Sequence, residues 1–240
     1  MSGMAKSGGN LSAAPENAAA SAEAGKKRKR NSRDAEATRA AILQAAIAEF
    51  AREGYGGARV DKISQRAGAN ERMLYYYFGS KEELFRAVLE SVYDELISAE
   101  RALDLHAVHP VEGVRRFIAF TWTYYLDHPE FISLVNTENL YKAEHVRRSQ
   151  RVQSLSLPQV DILRDLLERG QASGCFRTDV EPIEMLLTVT SLAYFYQSNT
   201  HTFSHYLGQD LAEPIAQQRW LTHITRVVLE FLERARSDLD

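Results

Sequence analysis

The sequence predicts an all-α protein, with short helices first and a larger domain of long helices after them. Three observations predict it. Apolar residues recur at helical spacing, as in Ile42, Ala45, Ala46 and Phe50. Five of the six prolines lie beyond residue 100, and each precedes a helical pattern: Pro110, Pro129, Pro158, Pro182 and Pro214. Proline suits a first helical turn, where its missing N–H has no intrahelical partner to lose. Strand-like alternation of apolar and polar residues is absent, and so are internal repeats.

The elements follow in chain order. Residues 1–25 hold few large apolar side chains and cannot offset the entropy of ordering, so a disordered tail is expected, extended to residue 32 by the basic run KKRKR at 26–30. Helices are expected near 34–53, 60–67, 71–77, 81–105, 111–127, 129–142, 157–173, 181–206 and 213–236. Gly54 closes the first of these. Glu112, Glu130, Asp161, Glu181, Glu184 and Glu213 sit near the proline-marked starts, where the helix dipole favours negative charge.

Composition narrows the function. At 240 residues, 45% hydrophobic and 25% charged, the chain has an ordinary globular balance and can bury a sizeable core. No apolar run approaches the ~20 residues that span a membrane, and the N-terminus lacks an apolar signal core. The single cysteine, Cys175, excludes an intrachain disulfide, which fits a cytoplasmic setting. Net charge is −3, but residues 26–90 carry 14 Lys and Arg against 9 Asp and Glu, while residues 91–240 carry 14 against 21. A basic N-terminal part on an acidic body points to a polyanionic partner for that part, or to a charge bias that merely solubilises it. His201 and His205 stand four apart without a third ligand at motif spacing, so no metal site is expected. There is no nucleophile motif or phosphate loop, and neither an enzymatic activity nor a cofactor is expected.

The informative stretch is ARVDKISQRAGANERMLYYYF. Val60, Ile63 and Ala67 mark the inner face of a short helix. Gly68 suits a tight interhelical turn, Asn70 is a plausible N-cap, and Leu74 and Phe78 share one face of the next helix. This is a helix-turn-helix pattern, whose second helix enters the DNA major groove. A helical hairpin of packing value alone would look similar.

Tyr55, Val60, Ile63, Ala67, Gly68, Leu74, Tyr75, Tyr77, Phe78, Ser80, Lys81, Glu82, Glu83 and Leu84 together resemble the DNA-binding module of the TetR family of transcriptional regulators. The resemblance implies a DNA-binding domain at 33–80 and a helical ligand-binding and dimerisation domain at 81–240. Gly57 and Ala58 stand where the family often has a Thr or Ser cap, and residues 70–73 replace its frequent Ser-x-Gly-Thr. The candidate DNA-contacting set is Arg59, Asn70, Glu71, Arg72, Met73, Tyr75, Tyr76, Tyr77 and Lys81. Arg72 could pair with guanine O6 and N7, and Met73 could meet a thymine methyl. Glu71 could accept from cytosine N4 or serve only as helix-start charge. With Leu74 at zero, Phe78 falls at about 40°, Tyr75 at about 100°, Tyr76 at about 200° and Tyr77 at about 300°. Tyr76 therefore faces outward beside Arg72, and Tyr75 and Tyr77 flank the buried stripe. In the family the equivalents of Tyr75, Tyr77 and Lys81 commonly touch the DNA backbone. Ser80 and Glu83 are spaced as a capping box. The KKRKR run is either a flexible arm toward DNA or a solvated charge run.

The resemblance further implies a homodimer on double-stranded operator DNA, released by a small-molecule effector, with repression the commoner outcome. Phe120, Tyr124, Asn136, Asn139 and Tyr141 are the candidate effector contacts; the aromatics would serve equally as core. Arg147, Arg148 and Arg151 could face a ligand carboxylate or simply solvent. Residues 128–140, HPEFISLVNTENL, resemble members that regulate catabolism of pyrimidines or nicotinate-type acids, which implies an aromatic or heteroaromatic effector. Apolar positions on the last two helices, Leu186, Leu187, Val189, Leu192, Ala193, Ile215, Trp220, Ile224, Val227, Val228 and Phe231, would form a four-helix bundle with a second copy. The competing class is an all-α enzyme or interaction module without sequence-specific DNA binding.

Overall fold

The computed structural model of the protein describes residues 15–154 and 158–233, with side chains from residue 33 onward. Among the described residues there are eleven helices and no strand. These are α1 (Pro15–Gly57), α2 (Val60–Arg66), α3 (Glu71–Phe78), α4 (Lys81–Arg101), α5 (Pro110–Asp127), α6 (Pro129–Leu140), α7 (Glu144–Arg148), α8 (Gln150–Gln153), α9 (Pro158–Ala172), α10 (Pro182–Leu207) and α11 (Pro214–Glu233). Each of the five prolines singled out in the sequence is the first residue of its helix. No described helix is long and apolar enough to cross a membrane.

Two departures from expectation stand out. First, α1 begins at Pro15, so residues 15–32 are helical rather than a coiled tail, and KKRKR lies on helical backbone rather than on a flexible arm. The segment is rich in Ala, with Glu, Lys and Arg, which favour helix without needing a core to pack on. Residues 1–14 of the expected tail lie outside the described residues. Second, α7 and α8 occupy residues expected to be irregular. At its other end α1 changes direction at Gly54, with φ 66° and ψ 174°, a geometry a residue with a Cβ resists.

The N-terminal core is built from Ile42, Ala46 and Phe50 of α1, Ile63 of α2, Leu74 of α3 and Leu84, Phe85 and Val88 of α4, none of them exposed to solvent. In the body, α5 runs through the centre and packs on α9, α10 and α11. Phe117 and Ile118 of α5 meet Leu163 and Leu166 of α9, Val189 and Ala193 of α10 and Val228 and Leu232 of α11 in the buried set. Trp122 meets Tyr196 edge-on at 5.2 Å, and Tyr196 stacks on Trp220 at 5.3 Å. Arg169 of α9 pins the α4–α5 connection, donating to the carbonyls of Val108 at 2.7 Å and Leu105 at 2.9 Å. The buried apolar residues of the N-terminal module and of the body form one uninterrupted cluster.

Candidate DNA-binding surface and effector region

The geometry of α2 and α3 is set locally. Gly68 turns the chain with φ 64°, and Ala69 N–H donates to the Ser64 carbonyl at 3.0 Å. The Asn70 side chain then accepts from the Met73 amide at 2.9 Å, capping α3 as its residue type suggests. Arg59 occupies the N-cap of α2 without a capping hydrogen bond, in keeping with Gly57 and Ala58 replacing a hydroxyl residue.

With Leu74 and Phe78 buried, the outer face of α3 is decided. Tyr76 is 81% exposed and Tyr75 46%, while Tyr77 is half-buried with its ring edge-on to Tyr76 at 5.2 Å. The three neighbouring tyrosines thus split by helical phase. Glu71 and Arg72 are exposed, Met73 is half-buried, and no described side chain engages Arg72. Arg59 differs: it is held by Asp61 through two hydrogen bonds of 3.1 and 2.8 Å, from Nε and Nη2, which leaves Nη1 for another acceptor.

At the start of α4 the Ser80 hydroxyl accepts from the Glu83 amide at 3.0 Å. The reciprocal half of the capping box does not form, because the Glu83 carboxylate pairs with Arg86 and the Ser80 amide donates to the Phe78 carbonyl. Lys81, first residue of α4, holds its ammonium 5.1 Å from the centre of the Tyr55 ring. Burial lowers its pKa below the ordinary lysine value.

The body separates the five effector candidates. Phe120 and Tyr124 stay together at 5.9 Å, Tyr124 stacks on His128 at 4.3 Å, and Phe131 sits among Tyr93, Tyr124 and Tyr125. Asn136 ties α6 to α10, accepting from the Tyr194 hydroxyl at 2.5 Å and donating to Ser198 at 3.0 Å. Asn139 is exposed. Tyr141 points the other way, edge-on to Tyr55 at 5.3 Å, at the junction with the N-terminal module. Arg148 and Arg151 also have structural partners: Arg148 pairs with Glu82 and Glu144, and Arg151 with Asp94 at 2.5 Å. These pairs tie α7 and α8 to α4. An open groove of about 950 Å³ lies along α11, lined by Tyr196, Arg219, Trp220, His223 and Arg226 among others, and none of the five candidates lines it.

Sequence reasoning missed Glu100. It is 1% exposed on the inner side of α4, with the Gln159 amide donating to it. Burial lifts its carboxyl pKa from 4.5 to about 8. The folded chain therefore holds a proton there that the unfolded chain loses first, and folding stability falls as pH rises between those two values. Glu100→Gln should flatten that part of the curve, which melting temperatures of variant and parent across pH at fixed ionic strength will show.

Residues 42–88 match the family model described as bacterial regulatory proteins, tetR family, and residues 110–228 match tetracyclin repressor-like, C-terminal domain. Over 200 residues the chain is 46% identical to the HTH-type transcriptional repressor NicS of Pseudomonas putida, covering 83% of this chain and 94% of that one. It is 32% identical over 201 residues to the HTH-type transcriptional regulator RutR of Escherichia coli K12, covering 84% and 93%. Among solved structures, the Streptomyces coelicolor protein SCO4942 matches with a TM-score of 0.62 at 25% identity, over 82% of this chain and 99% of that one. With a two-helix reading head, a helical body and matches across both, the chain belongs to the TetR family of transcriptional regulators, DNA-binding proteins and not enzymes.

Proposed function

We propose that the protein is a homodimeric, cytoplasmic repressor that grips double-stranded operator DNA with two copies of α3 and lets go when a small molecule binds the body. The observation that carries this is the outer face of α3, where Arg72 projects without a described partner and Tyr76 stands 81% exposed above the buried Leu74 and Phe78. Residues 33–80 then read DNA and residues 81–240 bind effector and partner. Repression is supported by the likeness to NicS, a repressor.

Dimerisation is supported by an apolar face on α10 and α11. Ile183, Leu187, Phe195, Ile215, Val227 and Phe231 are all between 40% and 73% exposed in one copy. Such a face calls for a partner, and two-fold pairing places two α3 helices to read a near-palindrome. The effector reading rests on the aromatic cluster around Phe131 and on Asn136, which together offer flat apolar walls and a few polar groups. An aromatic or heteroaromatic ligand would take its place there by displacing ring packing, since Tyr124, Tyr125 and Phe131 are buried against one another. It would act by population shift, binding better to a form whose α3 helices are mis-spaced for consecutive major grooves.

Duplexes selected from a random pool supply the test. Arg72→Ala is expected to cost about 1–3 kcal/mol on the selected sequence and to relax preference at one base pair. Lys81→Ala should weaken binding to every duplex alike and reduce the salt slope by about 1. No preferred sequence from the selection would refute the reading, and a uniform effect of Arg72→Ala would remove its base-reading role.

A further inference from the structure

We infer that Glu138 and His145 are positioning residues for Lys81, fixing its place at the DNA-facing start of α4 through the ring of Tyr55. The inference rests on the reading of Lys81 as a phosphate contact. Its ground is a chain of contacts crossing four helices, α6, α7, α1 and α4, that come from three separate stretches of the sequence.

Glu138, on α6, is 4% exposed, and its carboxylate is fully engaged. Oε1 accepts the backbone N–H of His145 at 2.8 Å and of Val146 at 2.9 Å, and Oε2 lies 2.7 Å from His145 Nδ1. Three contacts to one carboxylate leave the imidazole little freedom, because a buried charge-assisted bond is costly to break. The His145 ring, 4% exposed, then packs 4.8 Å from Tyr55 and 4.9 Å from Phe85. Tyr55 directly follows the bend at Gly54, so its ring is placed by packing rather than by a continuing helix. Lys81 hangs over that ring at 5.1 Å. A lysine side chain loses much rotamer freedom on binding a phosphate, and a ring that already holds it reduces that loss.

Tyr141 packs on both Tyr55 and His145, and Arg148 pairs with Glu82, the residue after Lys81. Helix α7 therefore touches the first turns of α4 at Glu82 and Phe85, while Tyr141 backs the Tyr55 ring that carries Lys81. A pair that only held the body together would have no need to meet Lys81's support.

The experiment is a double-mutant cycle on the full-length protein, reading affinity for a mixed-sequence duplex over a range of salt. His145→Ala should lower affinity about three- to tenfold and make the salt slope shallower. In a Lys81→Ala background the same change should have less than about a twofold effect, since coupled residues are non-additive. Tyr55→Leu should behave like His145→Ala, and Tyr55→Phe, which keeps the ring, should bind like the parent. If His145→Ala fails to fold, the Tyr55→Leu and Lys81→Ala cycle gives the same decision. Additive losses in the cycle, or an unchanged salt slope in a folded His145→Ala protein, would overturn the positioning role while leaving Lys81 a phosphate contact. If Lys81→Ala alone changes neither affinity nor slope, the phosphate reading itself fails, and the positioning role falls with it.

Discussion

Phe85→Ala should destabilise the protein by about 3–5 kcal/mol, a large share of the stability of a typical domain. Phe85 is fully buried on α4. Its ring lies 4.9 Å from Phe50, 5.0 Å from Tyr55 and 4.9 Å from His145, so it touches α1 and α7 at once. Rings on several sides cannot all move inward to fill the space that alanine leaves. The cost is therefore lost burial plus a persistent cavity, the costlier end of large-to-small substitution. Leu140→Ala is the control: that side chain on α6 is 82% exposed, and its loss removes little packing within the chain. Denaturant unfolding at matched protein concentration checks both, since association shifts apparent stability. A Phe85→Ala midpoint equal to that of the parent would mean that the junction repacks freely.

The second large effect is expected on assembly. Leu187→Glu puts a charge on an apolar position of α10 that is 60% exposed in one copy. In a symmetric dimer the charge appears twice near one interface, and desolvating both carboxylates is costly. Sedimentation at micromolar concentration should show a mostly monomeric protein. Operator affinity should drop about 100-fold or more, because each half-site must then bind independently. The melting temperature at low concentration, where the parent also dissociates, should change little. A Leu187→Glu protein that stays dimeric would move the interface off this face of α10.

Much of the fold was legible because its signals are local. Each helix-opening proline, Asn70 and Ser80 act on backbone within a few residues, and the structure places them at helix starts. The split of Tyr75, Tyr76 and Tyr77 needed only helical phase and the burial of Leu74 and Phe78. Long-range chemistry was not legible. Helices α7 and α8 carry Glu, His, Arg, Gln and two valines, with no apolar stripe to betray them. They are held instead by Glu138 and by Glu90, which accepts from the Ser149 hydroxyl at 2.6 Å, partners on other helices. Tyr141 reads as a pocket aromatic in the sequence, because nothing local says that its ring meets Tyr55. Glu100 looks like one more helix-surface acid until α9 closes over it. The helical start of α1 was missed for a different reason. A lack of large apolar residues argues against a core, yet Ala-rich helix needs none.

The unbroken buried cluster that runs from Ile42 through Phe85 to Leu232 has a thermodynamic consequence. The core passes from the N-terminal helices into the body without a break, so the two should melt in a single transition. Hydrogen exchange in α2 and α3 should then slow whenever the body is stabilised, even by a molecule that never touches them.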